Sequence, residues 1–472
     1  MNKTQSLFGL LVSVFFFWGF VAASNDILIP VLKEALHLNN WQSQLINFAF
    51  YMAYTIGSLA YVSHAIITKR DIISRIGYQK GIALGLTISA VGTLLFLPAA
   101  AYNSYGFLIS GLFIVGLGFS LQQTAANPFA ISLGTPEKGS QRLSLAGGIN
   151  NVGTTIGPLI IAYAIFGGLG DNDDKLVTID DVKVPYILLG AAFLFVALLF
   201  YNSGRKNQHG KTVFSEQNEN SDLIDQTDGI KFKLSNYPQL YLGMLAIFFY
   251  VGVEVATGGN LGEFLKKVEG FSDINMAPYV ALYWASLMIG RWASAASIVS
   301  STKQNKLFFK FLLPYIAFGI FLLSLYISGN PYQEFLKYFF IVPVITIADI
   351  LSKDDPAKQL FLFSLLGILA LIIGIFSSGT VGIFAFVSVG LFCSTLWPCI
   401  FTLATKNLGE NTTKGSSLLI MMIMGGAIMS LTQGVLADIP AIGIRYSFFV
   451  GVACFIYLAY YAIRMKKQFK TQ

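Results

Sequence analysis

Two carboxylates stand inside runs that are otherwise apolar. In FVAASNDILIP, Phe20 to Pro30, Asp26 follows Asn25 and precedes a proline that would break the helix and free backbone carbonyls around the acid. In FYVGVEVATGGN, Phe249 to Asn260, Glu254 is the single charge. A carboxylate at the centre of a membrane helix costs about 3 kcal/mol on the insertion scale, so each must be paired or put to work. For Asp26 the choice lies between a proton- or cation-coupled group at the edge of a cavity and a helix-end acid satisfied by water or Lys33. For Glu254 it lies between the same chemistry and an ionised structural pair with Arg291, and sequence alone does not separate them.

Neutral polar residues gather nearby in the chain. SLQQTAANPF, Ser120 to Phe129, carries Gln122, Gln123, Thr124 and Asn127, and the helical period puts Gln123 and Asn127 on one face. An amide both donates and accepts, which complements sugar hydroxyls; hydrogen bonding between helices is the alternative use. Asn150, Asn151, Thr154 and Thr155 follow among Gly147, Gly148, Gly153 and Gly157. The glycines suit close helix packing, and Asn150 suits ligand contact. In STLWPCIF, Trp397 beside Pro398 offers an aromatic surface for the apolar face of a pyranose, or simply packs.

Other chemistries lack their residues. His37, His64 and His209 form no metal or catalytic set, and Lys414-Gly415-Ser416 lacks the upstream glycine of a phosphate loop, so no metal, cofactor or ATP-driven step is expected. A nucleophile with its base is also missing, which argues against an enzyme. Cys393, Cys399 and Cys454 lie in apolar runs and should pack as small hydrophobes.

These residues need a membrane scaffold to position them. The sequence is 55% hydrophobic and 12% charged, against about 25% charged in a soluble chain. The net charge of +7 comes from Lys and Arg at the ends of apolar runs, as expected of cytoplasmic loops, so no nucleic-acid partner follows. Runs of about 20 residues can be placed about fourteen times, giving an all-α integral membrane protein. The first, residues 7–32, is too long for a signal peptide core and is read as retained. The weakest is residues 335–351, with Lys337, Pro343 and Asp349. Counting it as a crossing keeps TKRDIISRIGYQK, TPEKGSQR, ATKNLGENTTK and RMKKQFK on the cytoplasmic side with both termini, and puts GDNDDKLVTIDD outside. Arg75 and Arg142 of these loops, with Arg291 of the eighth run, are candidates for structural or gating roles.

The polar stretch 203–237 reads as a cytoplasmic linker between halves 1–202 and 238–472. NPFAISLGTPEKGSQRLSLAGG in the first half is echoed by WPCIFTLATKNLGENTTKGSSLLIMMIMGG in the second: a proline in a helix, a Lys-Gly-Ser loop, then paired glycines. Parallel six-helix repeats of this kind hold substrate between the halves near the midplane. Two of the fourteen runs are then additional.

In NDILIP, QTAANPF, YVG followed by an acid, IGR, and KNLG followed by KGSS, the chain resembles the fucose/galactose/glucose symporter branch of the major facilitator superfamily over nearly its whole length. The resemblance implies a major facilitator fold of two six-helix bundles, with the two additional runs as a hairpin inserted at about 307–351. It also implies uptake of a hexose or 6-deoxyhexose by H+ or Na+ symport through alternating access. Asp26 matches the family aspartate tied to coupling, with Glu254 as second coupling group. Gln123 stands where the family has a glutamate; it cannot titrate, so a two-carboxylate mechanism does not carry over intact. Gly147 replaces a family glutamine, and SRIGYQK lacks the acid that the superfamily pattern prefers. The expected sugar contacts are Asn25, Gln122, Gln123, Asn127, Asn150, Asn151 and Trp397, in a lipid-embedded monomer of a bacterial cytoplasmic membrane. The rivals are an uncoupled facilitator, an efflux antiporter and a non-transporting sugar sensor, although a linker of about 35 residues is too short for a signalling domain.

Overall fold

A computed structural model describes residues 3–35, 40–68, 71–135, 138–166, 183–206, 233–271, 273–299, 303–327 and 329–469. These residues are almost entirely helical, as hydrocarbon requires of a chain that must satisfy its own backbone groups. Eleven helices among them are long and apolar enough to cross a membrane.

The first half comprises α1 (Lys3–Ala35), α2 (Asn40–Thr68), α3 (Tyr78–Leu94, continued by Phe96–Ala101), α4 (Tyr105–Ser132), α5 (Gly139–Phe166) and α6 (Lys183–Lys206). The second opens with α7 (Pro238–Lys267) and α8 (Asp273–Val299). There follow α9 (Lys303–Ile327) and α10 (Val342–Ser352), the latter entered through a 3-10 turn at Gln333–Phe340. Next come α11 (Pro356–Phe376), α12 (Gly379–Cys393) and α13 (Leu396–Thr405), then α14 (Thr412–Met421), α15 (Gly425–Ala437) and α16 (Phe449–Gln468). The run read as one helix over 379–405 thus breaks at Ser394–Thr395, just before Pro398, whose missing N–H suits the first turn of a new helix. The run 415–438 breaks at a 3-10 turn, Met422–Met424.

Close packing follows the small residues. α1 lies on α5, where a Cβ on Gly19 would collide with the Asn150 carbonyl oxygen and one on Gly153 with that of Phe16. The glycines of α5 therefore set helix contact, as the sequence suggests. Phe119 of α4 stacks edge-on against Phe50 of α2 and Phe193 of α6, 5.9 Å away in each case, tying three helices.

The run 335–351, short and interrupted by polar residues, is one of these eleven candidates: Gln333–Ser352 reaches spanning length and hydropathy. Its awkward residues have separate solutions. Pro343 sits in the first turn of α10, where its missing N–H costs nothing. Lys337 is exposed, while Asp349 is buried and pairs with buried Lys310 of α9. Gln359 of α11 donates to the same carboxylate, and Asp354 pairs with both Lys306 and Lys310. Tyr338 meets Ser286 of α8 at 2.9 Å and Tyr279 of α8 donates to Glu334 at 2.8 Å, so the 3-10 turn that leads into α10 is fastened to α8.

Candidate functional site

A cavity of about 780 Å³ lies between the halves. Its walls follow helical faces. α1 contributes Phe15, Trp18, Gly19 and Ala22, spaced i, i+3, i+4, i+7; α5 contributes Leu143, Gly147, Asn150 and Thr154. α4 presents Gln123 and Asn127, the pair that periodicity placed together, and α7 presents Tyr250 and Glu254.

The amides are oriented by fixed partners. Gln123 Nε2 donates to the Tyr54 hydroxyl at 3.2 Å, Asn127 Nδ2 to the Gln123 carbonyl at 3.0 Å, and Asn150 Nδ2 to the Phe15 carbonyl of α1 at 2.9 Å. Each leaves its amide oxygen as an acceptor for a ligand. Trp397 also lines the cavity, its ring 6.2 Å from Tyr250 and 6.1 Å from Phe401, so it packs and faces the cavity at once.

Two expected contacts point elsewhere. Gln122 is fully buried outside the cavity wall: its Oε1 accepts from Trp18 Nε1 at 2.9 Å and its Nε2 donates to Ser89 at 3.0 Å. One helical step from Gln123 turns it about 100° away, onto α3. Asn151 is buried behind the wall, where its Oδ1 accepts from Arg291 Nη1 at 2.7 Å. The side chains of Asn25 and Asp26 lie outside the described residues.

Glu254 is the only carboxylate, and Arg291 the only cation, among the described residues lining the cavity. They form no direct ion pair in the described set. Arg291 spends its guanidinium on the Ser394 carbonyl at 2.8 Å, the Gly147 carbonyl at 3.0 Å, Asn151, and the Tyr250 hydroxyl at 3.4 Å. It thus joins α8 to both the second half and the first. Glu254 lies beside the Tyr250 hydroxyl, and its Oε2 is buried without a hydrogen-bond partner. A buried carboxylate oxygen left unpaired is a site for a proton, a cation or a ligand hydroxyl.

One end of the cavity is sealed by bonds between the halves. Asp71 accepts from Tyr61 and from Thr413 across the seam, and its Oδ1 also caps the short helix Ile72–Ile76 through Ser74 N at 3.1 Å. Ser417 donates to the Ser58 carbonyl at 3.1 Å, and Gln141 to the Asp354 carbonyl at 3.3 Å. Burial opposes ionisation of Asp71, but the bonds from Thr413, Tyr61 and Ser74 hold its carboxyl below the usual aspartate value. Sequence reading noted the missing acid in SRIGYQK; Asp71, three residues before Ser74, supplies an acid to this loop. Arg75 is exposed there, whereas Arg142 ties α5 to the end of α4 through the carbonyls of Ala130, Ile131 and Thr135.

Tyr54, Tyr250 and Trp18 are parts of the site that sequence reasoning missed. The i, i+3, i+4, i+7 pattern on α1 was a usable signal; the tyrosines had none beyond their place in apolar helices.

The family profile described as Major Facilitator Superfamily matches residues 6–347. The chain is 33% identical over 455 residues to the glucose/galactose transporter of Brucella abortus (biovar 1, strain 9-941), covering 96% of this chain and 92% of that one. It is 28% identical over 447 residues to the L-fucose-proton symporter of Escherichia coli (strain K12), covering 91% and 86%. Among solved structures, the Major Facilitator Superfamily transporter FucP in the outward conformation superposes with a TM-score of 0.71 at 26% identity, covering 98% of this chain and 99% of that chain. A cavity between two helical halves, walled by amides and one acid, thus goes with a whole-length match, and the chain belongs to the Major Facilitator Superfamily.

Proposed function

We propose that this protein is a secondary active transporter that imports a hexose or 6-deoxyhexose by H+ or Na+ symport. The observation that carries the reading is one cavity holding three oriented amides, Gln123, Asn127 and Asn150, together with an acid whose oxygen has no partner, Glu254. The amides would bind sugar hydroxyls, Trp397 the apolar ring face, and Asp26 and Glu254 the coupling cation. The relatives named above are transporters of glucose or galactose and of L-fucose with protons, which supports the sugar class and a transport role.

The architecture that goes with this function is two six-helix bundles, 1–202 and 238–472, joined by the linker 203–237, with the hairpin at about 307–351 inserted in the second and fourteen crossings in all. Inter-loop bonding supports the count. The contacts at Asp71, Gln141, Asp354 and Thr413 join loops that follow even-numbered crossings. Those of Arg445 with Glu269 and Ser377 join loops that follow odd-numbered ones. With both termini cytoplasmic, the sealed end faces the cytoplasm and the cavity faces out, in a monomer of a bacterial cytoplasmic membrane. Ionisation of an empty Glu254 would draw Arg291 off Gly147 and Asn151, loosening α8 from α5; a bound cation would release it back. Transport would alternate by breaking the seal at Asp71, Ser417 and Gln141.

Uptake of labelled glucose, galactose and fucose into proteoliposomes with an imposed H+ gradient, an imposed Na+ gradient or neither tests this. Accumulation of one sugar under one gradient supports symport. Because Gln123 does not titrate, a facilitator is the second reading, and equilibration without accumulation would select it. Absence of flux for every sugar would overturn the reading in favour of an efflux antiporter or a sensor.

A further inference from the structure

We infer that Tyr54 is a specificity-determining residue of the sugar site: its hydroxyl and the Gln123 amide clamp one sugar hydroxyl between them, Tyr54 donating to it and Gln123 Oε1 accepting from it. The inference rests on the sugar-transport reading. Both side chains belong to the cavity wall, and Gln123 Nε2 donates to the Tyr54 oxygen at 3.2 Å. That bond determines what each group has left to offer. A phenol carries one proton, and with its oxygen already accepting from the amide, the proton is left for another acceptor; none of the described residues supplies one. The Gln123 oxygen is likewise uncommitted. Tyr54 is only 5% exposed, so its spare proton is available to what the cavity holds rather than to bulk water.

A sugar hydroxyl fits this pair because it accepts and donates at once. It takes the Tyr54 proton and gives its own to Gln123 Oε1, and with the existing Gln123–Tyr54 bond the three groups close a ring in which each hydrogen bond polarises the next. A methylene or a carbonyl in the same place leaves at least one of the two bonds unmade. Tyr250 offers no such pair, because its hydroxyl accepts from Arg291 at 3.4 Å and lies beside Glu254. The residue type at 123 decides whether Tyr54 is free. An ionised glutamate only accepts, so it would take the Tyr54 proton for itself, whereas glutamine reverses the bond and leaves that proton for the sugar. The clamp is also fixed within one half. Ser120 of α4 donates to the Tyr54 carbonyl at 3.1 Å, and Phe50, one turn earlier on α2, meets the Tyr54 ring edge-on at 5.5 Å. Since α2 and α4 both belong to the first half, the clamp keeps its geometry while the halves rock.

The test is equilibrium binding of labelled glucose, galactose and fucose to the purified protein, followed by the monodeoxy analogues of whichever sugar binds. Tyr54→Phe keeps the ring and should raise Kd about fivefold, the loss of one neutral hydrogen bond. The one analogue that lacks the clamped hydroxyl should bind wild type and Tyr54→Phe alike, while the other analogues should show the full difference. Beside Gln123→Met, Tyr54→Phe should still weaken binding of the parent sugar at least about twofold, because Tyr54 reaches the sugar directly and not only through Gln123. An unchanged Kd in Tyr54→Phe, an equal loss for every deoxy analogue, or no further loss beside Gln123→Met each overturns the clamp. Should the wild-type protein bind none of the three sugars, the sugar reading falls and takes the clamp with it; a flat Tyr54→Phe on a protein that binds sugar removes the clamp alone.

Discussion

Glu254→Gln should abolish gradient-driven accumulation while leaving sugar exchange intact. Glutamine keeps the volume and can still meet the Tyr250 hydroxyl, so the sugar site should survive, but the group that takes and gives up the cation is gone. The size of the effect follows from there being one carboxylate among the described cavity residues. If Glu254 carries one proton per sugar, a gradient of one pH unit supplies about 1.4 kcal/mol and about tenfold accumulation. An added potential of 100 mV supplies about 2.3 kcal/mol more, a further factor of about fifty. The wild-type protein should approach those ratios under a proton or a sodium gradient of the same size, and the variant should equilibrate near unity. Counterflow, in which preloaded unlabelled sugar drives entry of label without any ion gradient, should persist at a rate within about threefold of wild type. Tenfold accumulation by Glu254→Gln would refute the coupling role and leave Asp26 as the coupling acid. Wild-type accumulation near a hundredfold under a single pH unit would show two protons per sugar, and so both acids at work.

Three further outcomes follow. Lys310→Met should cost about 3–5 kcal/mol because it strands Asp349 in the interior, and Lys310→Met with Asp349→Leu should recover most of it, read as thermal unfolding in detergent. Gly153→Ala should lower the melting temperature through about 1–3 kcal/mol of overpacking, because the new methyl meets the Phe16 backbone rather than a side chain that can move. At the sealed end, Asp71→Ala removes the acceptor for Thr413 and should speed labelling of Leu143→Cys in inside-out vesicles about tenfold. Since the Asp71 carboxyl is held below its ordinary value in the sealed form, that contribution is present above about pH 4 and is lost as pH falls through the lowered value. Expressed relative to the reactivity of a free thiol at each pH, labelling through the unmodified seal should therefore be constant from pH 8 to 5, and a relative rate that climbs between pH 7 and 5 would assign the seal to another group.

How far the sequence reached can be judged residue by residue. Gln123 and Asn127 were legible because their spacing alone puts them on one face, and Asn150 because it stands among glycines that force α5 against α1. Gln122 was not. Its type matches Gln123, and only the position of α3 decides that its amide meets Ser89 instead of a ligand. The Glu254–Arg291 question was open for the same reason: their separation in the chain says nothing of Asn151 and Gly147, which arrive from the other half to take the guanidinium. Asp71 was hidden because its partner, Thr413, lies in the opposite half. The hairpin was visible as surplus length, yet its approach to the cavity depends on how α9 leans across α8 toward α5.

These particulars share one physical cause. Helix faces are encoded locally, so a period of 3.6 recovers them from a single chain. Pairing across the seam between halves depends on which of two global arrangements the protein adopts, and a transporter must adopt both. Residues that bond across the seam, Arg291 and Asp71 above all, draw part of their partners from the opposite half, whereas Trp18 and Gln122 are paired within one half. Their bonding in this structure is correspondingly divided, Arg291 among carbonyls of both halves and an amide, and Asp71 between its own half and Thr413. Groups whose bonds are spread over two bodies can be released from one body while held by the other. A charge held in that way can respond to a second charge such as Glu254 by moving, which is what coupling a cation to a conformational change demands.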